Sequence, residues 1–196
     1  RNKVRMFTCI FGIAFCMGLV FLAFALRDSI DCYADALSQR QNRYDLMAAL
    51  DTSVTRAQYE RLTHDAGVEE AELEMTTAGW LYTDTQRATA AITVAEDVVD
   101  LKRYDPYAGG PIVLPEDGLV LEEALADELG VGVGDTLSLR FTGDSRYYPV
   151  RVAEVDRSAS GVTLSRSLWR SLGLAYAPTA AYLTAADPAA LAGRLD

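Results

Sequence analysis

The glycines Gly130, Gly132 and Gly134 are the residues of this sequence whose spacing most suggests nucleotide chemistry. A phosphate-binding glycine loop follows a strand and opens a helix, so that the N-terminus of the helix faces the phosphate. Here the order is reversed, because the glycines follow a predicted helix (Glu122–Leu129) and lead into a predicted strand (Thr136–Phe141). We therefore interpret them as a helix stop with a tight turn, and we predict no bound cofactor.

Residues that catalyse reactions or bind metals are not arranged for either task. His64 is the only histidine, and it falls at the end of a predicted helix, where a surface or capping role is expected. No Gly-x-Ser-x-Gly, Cys-x-x-Cys, His-Glu-x-x-His or EF-hand pattern occurs. Glu70, Glu72 and Glu74 could bind a cation weakly, but acids that alternate along a strand are typical of its solvated face. The sequence predicts no catalytic site and no metal site, hence no enzyme.

The first predicted structural element is a membrane-spanning helix. Residues Met6 to Leu26 form a run of 21 residues without a charge. As a helix this run is about 31 Å long, against a hydrocarbon core of about 30 Å. A cleaved signal peptide is an alternative, since Ala23 and Ala25 fit a small-x-small cleavage pattern. A buried core helix is a third. The length of the run favours a spanning helix.

Charge sets the expected orientation of this helix. The first 27 residues contain four basic residues (Arg1, Lys3, Arg5 and Arg27) and no acid, whereas the rest carry 14 basic and 28 acidic residues. Positive flanks stay on the cytoplasmic side. We expect a cell-membrane protein with a cytoplasmic N-terminus and with residues 28–196 outside the cytoplasm. So acidic a surface repels phosphate, which argues against a nucleic-acid partner.

The helical period continues beyond the apolar run. Ile30, Tyr33, Ala34 and Leu37 recur at helical spacing among polar residues. This pattern predicts that the helix extends as an amphipathic stalk to about Asn42, roughly 24 Å past the bilayer. The alternative is that this segment is a surface helix packed on the domain, and the two interpretations are compatible.

Small residues form a stripe inside the apolar run. Gly12 and Cys16 are four residues apart, as are Ala14 and Gly18. This spacing lets membrane helices approach closely, so we interpret the stripe as a packing face for other helices, with chance spacing as the alternative.

The sequence predicts an α+β organisation, with the helix and stalk in residues 1–43 and a mixed α/β domain in residues 44–196. The turn-rich stretch 105–111 is a possible subdomain boundary.

Two aromatic residues lie on the polar face of the predicted strand Glu70–Tyr82. Trp80 and Tyr82 are an even number of residues from the glutamates, so regular alternation would place them on the same face. A bulge at Gly79 would return both rings to the core, and an exposed aromatic pair for a ligand is the alternative.

The predicted elements of the domain are strands Tyr44–Leu50, Glu70–Tyr82, Arg87–Ala95, Leu119–Leu121, Thr136–Phe141, Tyr147–Val155, Gly161–Leu164 and Ala180–Thr184, and helices Thr55–Asp65 (opened by a capping box), Asp97–Tyr104, Glu122–Leu129 (with Ala124, Leu125 and Leu129 on one face), Ser165–Leu172 and one beginning at Pro188.

The order of these pieces resembles a known family. The segment KVRMFTCIFGIAFCMGLVFLAFALRDSI resembles the helix that opens half of an FtsX-like ABC transporter permease, with its Arg-Asp-Ser-Ile type exit. The segments DGLVLEEALADELGVGVGDTLSLRF and YYPVRVAEV resemble the extracytoplasmic MacB-like domain of such permeases. Glu122 departs from the pattern, since the family often has Ser there, but an acid can also cap a helix.

The resemblance implies a MacB-like periplasmic core domain and a permease role. The expected partners are a cytoplasmic ABC ATPase subunit that hydrolyses ATP, further permease membrane helices, and an extracytoplasmic substrate or protein. We expect the sequence to be an excerpt whose later membrane helices follow Asp196. A single-span extracytoplasmic binding or adaptor protein without transport is the alternative.

Overall fold

The computed structural model describes residues 2–50, 56–65 and 67–195. The chain divides into two compact units, Arg1–Gln39 and Arg40–Asp196. Residues 105–111, where the sequence suggested a possible boundary, lie within the second unit. The helices are α1 (Asn2–Gln41), α2 (Arg56–Thr63), α3 (Glu123–Leu129), α4 (Arg166–Ser171) and α5 (Pro188–Leu195); the strands are β1 (Leu46–Ala49), β2 (Val68–Tyr82), β3 (Arg87–Ala95), β4 (Val98–Val99), β5 (Ile112–Val113), β6 (Leu119–Glu122), β7 (Thr136–Phe141), β8 (Tyr148–Asp156), β9 (Val162–Ser165) and β10 (Ala180–Ala185).

The first unit is one helix. The segment Ile10–Gln41 is long and apolar enough to cross a membrane, and none of its most apolar window is buried, although a signal sequence near the N-terminus passes the same test. The exposure of its large side chains, such as Phe11 and Phe21, is opposite to that of a core helix. The prediction of one long apolar helix followed by a mixed α/β domain is confirmed.

In the second unit, six strands close into a ring. β2 pairs with β3 and β7, and β3, β9, β6, β8 and β7 follow in order around the ring. The ring encloses the main core, which contains fully buried side chains such as Leu81, Ile92, Leu119 and Leu139. α3 and α4 complete it with Leu129 and Trp169. These strands are the part of the domain that positions the residues discussed below.

A smaller sheet extends from the ring. The first half of β2 pairs with β10, and β10 pairs with β1. Leu73, Leu183 and Leu191 form its own buried cluster. The β4–β5 pair covers another part of the ring, where Val99 and Leu114 pack on Val120.

The predicted bulge at Gly79 is wrong. The pairing of β2 with β3 keeps its register from Met75 to Tyr82. A Cβ at Gly79 would lie 2.5 Å from Ile92 Cδ1 and 3.0 Å from the Arg140 carbonyl oxygen, so close strand approach requires this glycine. Trp80 and Tyr82 consequently stay on the face of the glutamates, where both are half-buried.

Three further expectations concern predicted helices. The helix predicted at Asp97–Tyr104 is wrong: the segment forms β4 and turns, since Val98 and Val99 pair with β5. In α3 the buried residues are Ala126 and Leu129, whereas Ala124 is exposed. The capping box predicted at Thr55 lies outside the described residues.

Candidate functional site

The sequence predicts that Glu72 and Glu74 of β2 face solvent, but they bind residues 100–102 instead. Glu74 is only 8% exposed. Glu72 Oε1 accepts hydrogen bonds from the backbone N–H groups of Asp100 (2.6 Å) and Leu101 (2.9 Å), and Oε2 accepts one from Lys102 (3.3 Å). The prediction of a solvated face is therefore wrong for both residues, because the loop after β4 folds over them. Glu72 satisfies three backbone donors that this loop leaves without a sheet partner.

Glu74, Lys102 and Tyr182 form a closed triangle of contacts, which we call the Glu74 cluster. Lys102 Nζ lies 2.8 Å from Glu74 Oε1 and 2.8 Å from the Tyr182 hydroxyl, and that hydroxyl lies 3.1 Å from Glu74 Oε1. Burial lowers the pKa of Lys102, but hydrogen bonds to Glu74 and Tyr182 outweigh it, so the net pKa is raised. Burial is also the main cause of the raised pKa of Tyr182. The cluster thus favours a charged lysine and a neutral tyrosine.

Sequence reasoning missed Lys102, although a signal exists. After Lys3 it is the only lysine, in a domain whose other cations are arginines. A compact ammonium with three donors suits the narrow space between a carboxylate and a phenol better than a planar guanidinium.

The last residue of α1 and the two residues after it, residues 41–43, are held by backbone contacts; we call them the junction segment. Arg43 N–H donates to the Leu101 carbonyl (2.7 Å), and Arg103 N–H donates to the Gln41 carbonyl (2.9 Å). Asn42 forms an isolated bridge with Lys102. The junction segment is therefore attached to the loop that Glu72 and Glu74 hold.

An ion pair reinforces the same attachment. Arg43 Nη1 lies 2.9 and 2.7 Å from the two carboxylate oxygens of Asp100. Arg103 also bonds Asp100, and its hydrogen bond is the main cause of the lowered pKa of Asp100, with Arg43 adding to it. Because this folded-state pKa is depressed, the associated stability is present at neutral pH and is lost on acidification.

A cleft of about 200 Å³ lies beside the junction segment. Most of its lining residues have polar side chains, although apolar atoms form the larger part of its surface; the lining residues are Gln41, Asn42, Glu74, Thr93, Ala95, Val99, Lys102, Arg103, Tyr104, Ser158, Ser160 and Thr163. Hydroxyl, amide and cationic groups of this kind can hold a small polar molecule by hydrogen bonds. The only histidine, His64, is on another element, where its Nδ1 lies 2.8 Å from the Glu60 carbonyl oxygen. The serines of the cleft therefore have no histidine base beside them.

We expect Lys102→Ala to lower the free energy of unfolding of the domain by about 2 kcal/mol, because the largely buried Glu74 carboxylate loses its cation. Urea unfolding followed by the fluorescence of Trp80 and Trp169, both in the domain, measures this. Arg157→Ala is the matched control, since it removes an ion pair whose arginine is 85% exposed and should cost much less stability. Equal losses for the two variants would contradict the prediction.

Acidic groups cluster near Tyr104. Burial raises the pKa of Glu154, and the negative charges of Asp156 and Asp105 raise it further. Burial, followed by the charges of Glu154 and Asp156, likewise raises the pKa of Tyr104. A carboxyl with a raised folded-state pKa contributes its stability below its unfolded pKa, and this contribution is lost as the pH rises through the folded pKa.

Because Glu154 is exposed and solvent screens its interactions, Glu154→Gln is expected to stabilise the protein only slightly at pH 7, by roughly 0.5 kcal/mol or less, and to make no difference near pH 4. Thermal unfolding of both proteins across this pH range tests the sign. A destabilised variant at pH 7 would show that the hydrogen bond with Tyr104 outweighs burial and repulsion.

The other sequence-predicted residues lie elsewhere. Gly130 and Gly134 adopt positive φ angles of 65° and 99° after α3, and the Gly132 N–H donates to Asp135 Oδ2 at 2.8 Å, as a helix stop with a turn requires. Glu122 directly precedes α3 and does not cap it by its side chain; its Oε2 accepts the Gly161 N–H at 2.7 Å instead. Among the described residues, no cluster of potential metal ligands occurs.

The membrane and stalk residues all lie on α1. Gly12, Ala14, Cys16 and Gly18 are exposed, and a Cβ at Gly12 or Gly18 would meet no atom within 4 Å. Among the stalk residues, Ile30, Tyr33 and Ala34 are exposed and Leu37 is half-buried. Their assignment as packing face and stalk remains a prediction.

Comparison with known proteins gives structural neighbours only. No protein-family model matches the sequence, and no curated protein matches it. The periplasmic region of MacB from Actinobacillus actinomycetemcomitans is similar, with 14% identity and a TM-score of 0.46 over 80% of this chain and 83% of that one. The extracellular domain of the noncanonic ABC-type transporter YknZ from Gram-positive bacteria has 11% identity and a TM-score of 0.47, over 70% and 76%. Both neighbours are extracytoplasmic domains.

Proposed function

We propose that this chain is a membrane helix and the extracytoplasmic domain of an ABC transporter permease of the FtsX/MacB type. The main support is the uninterrupted helix Asn2–Gln41, which contains the apolar run and whose last residue begins the junction segment. The resemblance of the segments around Met6–Leu26 and Asp117–Phe141 to such permeases supports the same function.

In this proposal the domain engages a substrate or partner protein outside the cytoplasm, and a separate cytoplasmic subunit hydrolyses ATP. The helix beyond the bilayer acts as the stalk that carries conformational change to the domain. The junction segment is suited to receive that change, because backbone hydrogen bonds to Leu101 and Arg103 connect it to the loop over Glu72 and Glu74. Backbone hydrogen bonds of this kind resist sliding better than exposed ion pairs.

The orientation test uses a variant without cysteines, into which a single cysteine is placed at Asn2 or at the exposed Ser145. We expect a membrane-impermeant thiol reagent on intact cells to label the Ser145 site and to reach the Asn2 site only after permeabilisation, because positive flanks stay inside. Labelling of the Asn2 site alone on intact cells would reverse the topology and overturn the proposal.

The single-span adaptor hypothesis predicts the same labelling, so a second measurement separates the two. The permease should co-purify with a cytoplasmic ATPase from mild detergent, and an adaptor should not. A complex without any ATPase subunit would favour the adaptor.

A further inference from the structure

Part of the β3 edge has no neighbouring strand. β3 pairs with β2 from Arg87 to Val94 on one side, but with β9 only from Ile92 to Ala95 on the other. Within residues 2–50, 56–65 and 67–195, no strand pairs with this second side between Arg87 and Ala91. This stretch of five residues is about 16 Å long.

Gly161 is the reason that the edge is left open. Its φ of 68° turns the chain away just before β9 begins. A Cβ at Gly161 would lie 2.4 Å from the Ala91 carbonyl oxygen and 3.5 Å from the Ala91 nitrogen, so both polar groups of Ala91 point toward the β9 side. Because alternate residues of a strand direct their polar groups to the same side, Thr89 and Arg87 present theirs to the space that the chain vacates.

That space is a groove of about 330 Å³ between β3 and α3. The β3 wall is Thr89, Ala90 and Ala91, and the α3 wall includes Ala124 and Leu125. The small side chains of Ala91 and Ala124, one on each wall, leave room for another backbone. Exposed edges are normally protected by Pro, Lys or a bulge, and between Arg87 and Ala91 only the terminal arginine provides such protection.

The charge of the groove indicates what would enter it. Glu122 and Glu128 are its charged lining residues, and the basic Arg87 lies outside the lining, at the far end of the open edge. Glu128 is exposed. A segment with Lys or Arg beside these carboxylates would gain favourable electrostatic interactions, and an acidic segment would be repelled.

We propose that this groove, the β3 slot, binds an extended polypeptide segment that carries Lys or Arg. The segment adds to the Arg87–Ala91 edge as an extra strand along the line of β9, by main-chain hydrogen bonding to Arg87 and Thr89. This function goes beyond the proposed transporter role. It requires neither an ATPase nor a membrane potential, so it can be tested separately.

The test uses the purified full chain in detergent and a fluorescein-labelled hexapeptide of sequence Lys-Val-Thr-Lys-Val-Thr with blocked ends. We expect saturable binding by fluorescence anisotropy below about 1 mM. A peptide N-methylated at every second residue loses the main-chain donors of one edge, and a Glu-Val-Thr-Glu-Val-Thr peptide reverses the charge. Both should bind at least about fivefold more weakly.

Two pairs of variants locate the site. Thr89→Pro removes the backbone donor at the open edge and should weaken binding at least about fivefold, whereas Thr89→Ala keeps the donor and should bind as wild type. Glu128→Lys should weaken binding of the lysine peptide, whereas Glu116→Lys makes the same charge change outside the slot and should not. Tryptophan fluorescence checks that each variant is folded.

No saturable binding, or equal binding of the unmodified and N-methylated peptides, would overturn the proposal. So would equal effects of Glu128→Lys and Glu116→Lys, since binding would then reflect net charge alone.

Discussion

Replacement of Gly161 by alanine is expected to lower the free energy of unfolding of the domain by about 3 kcal/mol. The left-handed backbone at this residue costs an alanine roughly 1–2 kcal/mol. The new Cβ would also lie 2.4 Å from the Ala91 carbonyl oxygen, a distance that real Cβ atoms essentially never show. Backbone must therefore shift at the place where β9 leaves β3. Urea unfolding followed by tryptophan fluorescence measures the loss.

Gly130→Ala is the matched control for this substitution. Gly130 has nearly the same φ angle, 65°, but a Cβ there would meet no atom within 4 Å. We expect roughly 1–2 kcal/mol for this variant, the cost of the left-handed backbone conformation alone. Equal losses would contradict the steric argument and would show that β3 and β9 can separate at little cost.

Ala34→Pro is expected to abolish coupling between the ATPase and the domain in the complete permease. Proline at this position removes the hydrogen bond from residue 34 to the Ile30 carbonyl and clashes with that carbonyl, at a cost of about 3 kcal/mol or more. It does so in the middle of the predicted stalk, Ile30 to Leu37. An environment-sensitive fluorophore on a cysteine at Ser145 should change its emission when ATP is added to the wild type, and should not change in this variant.

The control for the proline is Ala34→Leu, which retains helix propensity and should keep the ATP response. Unchanged urea unfolding of the domain would show that the proline acts through the stalk. This is expected because Ala34 lies in the first unit and both tryptophans lie in the second. A normal ATP response in Ala34→Pro would contradict the stalk mechanism.

Most of the secondary structure follows from local patterns. The apolar run and its helical continuation predict a helix to about Asn42, and α1 ends at Gln41. The predicted strand Arg87–Ala95 agrees with β3 in both its ends, and Thr136–Phe141 agrees with β7. Alternation and turn residues determine these elements over a few neighbouring positions, so one sequence suffices to find them.

The site residues follow much less directly. Alternation places Glu72 and Glu74 on the face of β2 opposite Leu73, which is correct. It also predicts that the glutamates on this face are solvated, which holds for the exposed Glu70 but is wrong for Glu72 and Glu74. Lys102, 28 residues further along the chain, lies over this face and pairs with Glu74. A local pattern cannot distinguish a solvated carboxylate on a strand from a buried one that pairs with a cation, because the cation comes from a distant segment.

The sequence alone determined the long apolar helix, its basic flank, the acidic domain and the order of most strands, because each depends on composition or on short-range periodicity. Only the tertiary structure decided the irregular path of residues 97–104 and the β3 slot. Three backbone N–H groups of that loop donate to Glu72 instead of forming helix hydrogen bonds. Beside Ala91, the chain turns away from β3 at Gly161. Both outcomes depend on contacts between residues that are far apart in the chain, and such contacts leave no periodic signal.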